Sequence, residues 1–282
     1  MKKKITAITF ITALFICNSI FNPVSGQLKI YVNTDLEGIS GVFKFAQTRE
    51  KDTPLNLQAC EYFMGDLAAV IKGLRDAGAT EVIVLDGHGT QAVIPHLMTA
   101  GAKYVTGKPR TGAGNLSELD GSFAGMVMVG FHAMNGTPDG VLCHTQSSKT
   151  ENKYWYNGVE SGELAQSAAI AGHFGVPVIM VTGDEATCRE ARQFFGNEII
   201  TVPVKKGLAR EAALLYPFEE TRKALYEGSK KAVAAVGRCK PYKLKLPIEA
   251  KKQYLDFSKD EKNPQLITRE KTIEDQLHIL DL

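Results

Sequence analysis

What most constrains this chain is an alternation of two hydrophobic periods. Short, nearly continuous apolar runs that read as buried strands are separated by longer segments with apolar residues at helical spacing. "KIYVNTD" opens the series as a strand, and residues 57–77 follow with helical spacing that stops at Gly78. "TEVIVLDG", the shorter "KYVTG" and "AGMVMVGFH" are further strands. The long ones are continuously apolar, as strands covered on both faces are. Then "ESGELAQSAAIAGHFG" reads as helix, "VPVIMVTGD" as strand, "EATCREARQFFG" as helix, "NEIITVPVKKG" as strand and "PFEETRKALYEGSKKAVAAVG" as an amphipathic helix. Strand and helix in alternation specify an α/β fold: three layers around a mostly parallel sheet.

Two stretches depart from the pattern. "NGTPDG" is a turn cluster, and "VLCHTQ" and "KYWYNG" after it read as extended segments of an excursion. From about Lys240 the chain turns polar, and "KPYKLKLPIEA" alternates as a strand. We expect residues 240–282 to form a smaller C-terminal α+β extension of the same domain as an α/β core over 27–239. There are no internal repeats and no low-complexity segment.

The first 26 residues stand apart. "MKKKITAITFITALFICNSIFNPVSGQ" carries three lysines, then an apolar run, then small residues, the layout of a secretory signal peptide cleaved near Gly26. The apolar run is short for a membrane span. Its removal takes away three lysines and no acid, leaving 30 basic against 31 acidic residues, a balance of −1. That balance gives no reason to expect nucleic acid or an anionic membrane surface as a partner. The expected location is the periplasm or the exterior. Cys60, Cys143, Cys188 and Cys239 would remain, with no metal-knuckle spacing, and as disulfides or as buried free thiols.

Ligands of open α/β sheets gather at the carboxyl ends of strands. Strand one ends in "TDLEGISG", which puts the carboxylates of Asp35 and Glu37 one residue apart. On a strand, positions i and i+2 share a face. The next long strand ends at Asp86 and His88, the one after at His132, and the strand "PVIMVTGD" at Asp184. His144 lies in the excursion, and Glu163 opens the helix "GEL". Singly, each has an ordinary explanation: a helix cap for Asp86 or Asp184, a first-turn acid for Glu163, a capped core histidine. Together they place several carboxylates and histidines at equivalent ends with no lysine or arginine in the same motifs. Buried carboxylates need compensation, and a divalent metal supplies it. Mixed histidine and carboxylate donors suit zinc, with manganese or iron also open. Five donors exceed one tetrahedral site, and a bridging Asp35 would serve two ions.

"KIYVNTDLEGISGV", "VIVLDGHG", "MVGFHAMNGTPDGVLCHT" and "NGVESGELAQSAAIAGHFGVPVIMVTGD" resemble the D-aminopeptidase family of dinuclear zinc peptidases. The likeness runs from about Lys29 to Asp184 and continues more weakly through "TVPVKKGLAREAALLYP". It implies Asp35, Glu37, His88, His132 and Glu163 as ligands of two Zn2+ ions, and His144 as the catalytic residue. It also implies hydrolysis of an N-terminal D-amino acid from short peptides or amino-acid amides, and a homo-oligomer. The leader, the short C-terminus "TIEDQLHILDL" and "KFAQTREKDTP" depart from the family's pattern.

Three rival readings account for less of the sequence. A cysteine hydrolase would use Cys143 with His144, but neighbours on an extended strand face opposite ways. A metallophosphatase would need a D-x-H start and a G-N-H-E element. A periplasmic solute-binding protein shares the leader and the α/β pattern but gives no reason for the ligand set. A metal-dependent amidase of other specificity is the remaining alternative.

Overall fold

The computed structural model describes residues 26–282, and the leader expected over 1–26 lies outside them but for Gly26. The first strand, β1 (Lys29–Thr34), leads through a short 3-10 turn (Phe45–Gln47) into the helix α1 (Pro54–Asp76). Thr53 caps that helix by accepting from the Asn56 amide, and Pro54 occupies the first turn, where no amide donor is missed. Next come β2 (Glu81–Leu85), β3 (Lys103–Val105), β4 (Gly125–Val129), β5 (Lys153–Tyr156) and β6 (Val159–Ser161). Then follow α2 (Glu163–His173), β7 (Val178–Asp184), α3 (Glu185–Phe195), β8 (Ile200–Ala209), β9 (Ala212–Leu215) and α4 (Phe218–Ala235). The last strands are β10 (Ile248–Asp256) and β11 (Gln265–Ile273).

Seven strands form one sheet in the order β3-β2-β1-β4-β7-β8-β9, all parallel except the β8–β9 hairpin. Side chains of β1 alternate between two cores. Ile30 and Val32 pack with Phe63, Leu67 and Ile71 of α1 and Leu225 of α4. Tyr31 packs on the other face with Leu164, Ala168 and Ile170 of α2. Three layers follow from that alternation, with β1 buried on both sides.

A second, antiparallel sheet, β11-β10-β5-β6, lies over the α2 face and contributes Tyr154, Tyr156, Ile248 and Ala250 to its core. The C-terminal residues therefore enter a sheet begun a hundred residues earlier.

Two local expectations are corrected. "VLCHTQ" forms no strand: Leu142 has a positive φ of 52°, which breaks an extended run. The strand expected across "KPYKLKLPIEA" begins only at Ile248, because Pro247 has no amide for the ladder. The four cysteines among the described residues are free and buried.

Strand order spreads outward in both directions from β1, with β2 on one side and β4 on the other. Crossovers depart in opposite directions there, and a crevice opens beyond the carboxyl ends of these strands.

Candidate metal centre

Asp35, Glu37, His88 and His132 reach that crevice from the ends of β1, β2 and β4. The Asp35–Glu37 pair is not on the strand itself, since β1 stops at Thr34 and a tight turn follows. The turn lies flat on the β4 exit, with Asp35 N–H donating to Val129 O (2.8 Å) and Gly38 N–H to Gly130 O (2.7 Å). Gly38 makes this possible. A Cβ there would stand 1.9 Å from Phe131 O, far inside van der Waals contact distance. Gly87 does the same before His88, where a Cβ would meet Thr34 O at 2.1 Å. The glycines let three backbones close until their side chains converge.

His88 Nδ1 lies 2.9 Å from Asp35 Oδ1 and 3.1 Å from Glu37 Oε2. Its other nitrogen, Nε2, is 3.0 Å from Thr48 O. A carbonyl only accepts, so Nε2 carries the proton and the Nδ1 lone pair faces the carboxylates. His132 repeats this arrangement, with Nδ1 on Ala133 O (3.0 Å) and Nε2 3.2 Å from Asp35 Oδ2 and 3.5 Å from Glu163 Oε1. His144 is third, with Nδ1 on Leu142 O (2.8 Å) and Nε2 3.8 Å from Glu163 Oε1. Three imidazoles are thus locked by backbone carbonyls with their basic nitrogens turned toward three carboxylates. Such locking is the usual outer support of a metal-binding histidine.

Lone pairs facing carboxylates repel unless a positive charge lies between them. Among the described residues no lysine or arginine reaches ion-pair distance of Asp35, Glu37 or Glu163. Glu37 Oε2 and His132 Nε2 are buried without a hydrogen-bond partner. The titration of the cluster tells the same story. Burial alone would lower His88, but the charge of Glu37 and the close approach of Asp35 and Glu37 lift it well above the ordinary imidazole range. Burial is likewise outweighed at His132 by Glu163 and Asp35. The cluster draws in either protons or metal ions, and the two compete. His144 goes the other way, lowered by burial first and by the charge of His132 second.

These donors fit a metal. Asp35, Glu37 and His132 can place one donor atom each within 4.8 Å of one another, as can His132, His144 and Glu163. Asp35 stands between two groups, its Oδ1 toward His88 and its Oδ2 toward His132. All six residues singled out in the sequence therefore meet at one place. Two other strand-end acids do not join them. Asp184 caps α3 by accepting from the Thr187 amide (2.7 Å) and also accepts from Val141 (2.6 Å). Asp86 accepts from the amides of Ala92 and Val93 and from the Thr106 hydroxyl.

The β8–β9 hairpin supports the site through residues that sequence reasoning missed. Lys205 is completely buried, and its Nζ donates to the carbonyls of Glu37 (2.6 Å), Ile39 (2.9 Å) and Val42. Burial lowers it to about 8, against the charges of Asp184, Asp66 and Glu37, which favour the ammonium form. At the hairpin tip, Arg210 Nε donates to Cys143 O (3.1 Å), and its own carbonyl accepts from Leu142 N–H (2.7 Å). Glu211 accepts from the amide of Phe45, whose ring packs edge-on against His144 with centroids 6.2 Å apart. In sequence, "VKKG" and "LARE" look like ordinary solvated charge. Buried Glu190 was also missed; its Oε2 accepts from Met134 N–H (2.8 Å), and burial raises its carboxyl to about 7.

The cavity over the cluster is about 410 Å3. A family model described as D-aminopeptidase matches residues 28–266 of the chain. A D-aminopeptidase of Bacillus subtilis (strain 168) is 30% identical over 192 residues, covering 66% of this chain and 66% of that one. The chain thus spans just under two thirds of that curated relative. A solved structure of a zinc-dependent D-aminopeptidase from Bacillus subtilis, described as a self-compartmentalizing protease, superposes with a TM-score of 0.81. The match covers 90% of this chain and 94% of the other at 23% identity, so it speaks to the fold.

Proposed function

The chain belongs to the D-aminopeptidase family, and from that premise we propose that it is a zinc-dependent aminopeptidase. Its substrates would be short peptides or amino-acid amides, cleaved after an N-terminal residue of D configuration. One observation carries the reading: three imidazoles, each with its proton spent on a backbone carbonyl, turn their lone pairs on Asp35, Glu37 and Glu163. A metal ion between the lone pairs and the carboxylates reconciles that arrangement, in competition with protons.

Asp35, Glu37 and His88 would hold one zinc, and Asp35, His132 and Glu163 a second, with Asp35 shared. When bound, the metals supply Lewis acidity toward the scissile carbonyl and toward water. The chain's own residues do the rest. His144, neutral at pH 7 and with its Nδ1 proton fixed on Leu142 O, accepts a proton at Nε2 and returns it to the leaving amine. Phe45 and Arg210 hold its ring and backbone in place.

The leucines Leu208, Leu214 and Leu215, exposed on the β8–β9 edge, support self-association into a homo-oligomer. The lysine-rich and apolar start of the chain supports export, which fractionation and N-terminal sequencing of the mature protein test.

Matched substrates test the activity. A free D-Ala amide should be cleaved by the zinc-loaded enzyme, and its N-acetyl derivative hardly at all. Equal rates on both would remove the aminopeptidase reading and leave an amidase. Equal rates on D and L forms would reject only the stereochemistry.

A further inference from the structure

The charge of the cavity is more specific than its shape. Its carboxylates are Asp35, Glu37 and Glu163, all within the metal cluster. Its other permanently charged lining residues are Arg49, Arg110 and Lys149, all cationic. Among the described residues none of these three lies within 4 Å of a carboxylate oxygen, although most other arginines and several lysines do.

Both arginines are held in position by neutral groups. Arg49 donates through Nε and Nη2 to the hydroxyl and carbonyl of Ser148, each at 2.8 Å, and its Cζ lies over Phe45, 3.5 Å from the ring centroid. Arg210 approaches the same ring at 5.2 Å. Burial first, and the charge of Arg210 second, lower the affinity of Arg49 for its proton. Arg110 donates through Nη2 to the carbonyls of Gly87 and His88, and its buried Nε has no partner. Fixing a backbone carbonyl requires a donor, not a net charge. Arg110 is half-buried with its Nε unpartnered, whereas Arg49 and Lys149 are exposed, so the uncompensated charge that an anionic occupant would match is chiefly that of Arg110. If two divalent ions occupy the cluster, they outweigh its three carboxylates, so the cavity as a whole is positive.

We propose that the cavity selects short peptides whose second residue carries a free carboxylate, with Arg49 and Arg110, which line the same cavity as the metal cluster, anchoring that group. The inference rests on the aminopeptidase reading and names its substrate class. A volume of about 410 Å3 suits a di- or tripeptide. An amino-acid amide satisfies the cluster and leaves the cations unmatched. The carboxylate is either the peptide's C-terminus or an acidic side chain at the second position.

The test uses three ligands with a common first residue: the dipeptide acid with Ala second, its C-terminal amide, and the C-terminal amide with Glu second. Binding is measured by calorimetry on zinc-loaded His144→Ala protein, and turnover on the zinc-loaded native chain. A charge-assisted hydrogen bond adds about 1.5–3 kcal/mol, so the acid should bind roughly ten- to hundredfold tighter than its amide. The gain should appear in KM and shrink with added salt. Binding restored in the Glu amide assigns the anchor to a side-chain carboxylate, and binding restored only in the acid assigns it to the C-terminus. Arg49→Gln and Arg110→Gln should lower the acid-to-amide ratio, and the lysine variants should recover part of it. Equal binding of acid and amide overturns the proposal, and so does binding of neither. Tighter binding of the acid with no turnover of any ligand upholds the anionic site and sinks the aminopeptidase reading instead.

Discussion

The imidazoles of His132 and His144 lie face to face, with centroids 4.0 Å apart and planes 15° from parallel. Stacked rings at this distance resist double protonation. His132 faces Asp35 and Glu163, and His144 faces Glu163 alone. His144 is therefore the ring that stays neutral and free to exchange a proton.

The first prediction separates His144 from its neighbour in sequence. Cys143 Sγ is buried and faces Thr137 O at 3.4 Å, away from the cluster. Cys143→Ser should keep activity near the native level. His144→Ala should lose about 10²–10⁴-fold in kcat, the usual worth of positioned acid–base catalysis, with metal content intact. A dead serine variant beside an active alanine variant would move the chemistry to the thiol.

Metal content is the second. Protein purified without chelator should hold close to two zinc ions per chain. Asp35→Ala should lose most of both, because its two oxygens face different histidines. Glu37→Ala and His88→Ala should empty one site, and His132→Ala and Glu163→Ala the other. Elemental analysis after zinc reconstitution decides the matter, and protein without bound metal would end the metallopeptidase reading.

Lys205→Met is the third. It strips a donor from three buried carbonyls, and a buried unsatisfied group costs about 1–3 kcal/mol. Ile39 O keeps the Val42 amide as a partner, so two carbonyls are left unsatisfied, and the summed loss should be at least about 2 kcal/mol, roughly 4–8 °C in Tm for a chain of this size. Because those carbonyls shape the turn carrying Glu37, the variant should also release one zinc more readily to a chelator. An unchanged Tm would show that the turn holds itself.

The fourth concerns pH. Burial raises the carboxyl of Glu190 to about 7 from an ordinary 4.5. Between those values the unfolded chain gives up its proton first, so the native state binds more protons and stability falls as pH rises. Glu190→Gln cannot ionise and escapes that loss, on the order of 3 kcal/mol at its limit. Relative to the native protein, the variant should gain in Tm from pH 4.5 to pH 8. A difference that does not vary with pH would mean that Glu190 ionises without cost in its pocket.

Much of this molecule was legible in its linear sequence because strand ends announce themselves. The runs "TEVIVLDG" and "AGMVMVGFH" are apolar up to the residue where they leave the sheet, and "KIYVNTD" is so up to Val32. In an open α/β fold those exits share one edge, so Asp35, Glu37, His88 and His132 could be grouped without coordinates. Glu163 and His144 stood beside them as a helix-start acid and a histidine of the excursion, and their separate roles came through the resemblance, since neither lies at the end of such a run. The shared side of Asp35 and Glu37 was expected from strand alternation. It comes instead from a turn that Gly38 presses onto the Phe131 carbonyl.

Local sequence determined which apolar runs are buried, where the chain leaves the sheet, and which exits carry a carboxylate or an imidazole. Tertiary structure alone decided which ring nitrogen of each histidine is free, because the carbonyls of Thr48, Ala133 and Leu142 take the other. It also placed Lys205 on the turn carrying Glu37, and Arg210 on the segment carrying His144. Those partners lie 168 and 67 residues away in the chain. Hydrophobic period is a property of neighbours and survives in a string of letters. A buried ammonium is held by whichever carbonyls packing brings to it, and nothing next to Lys205 in sequence names them.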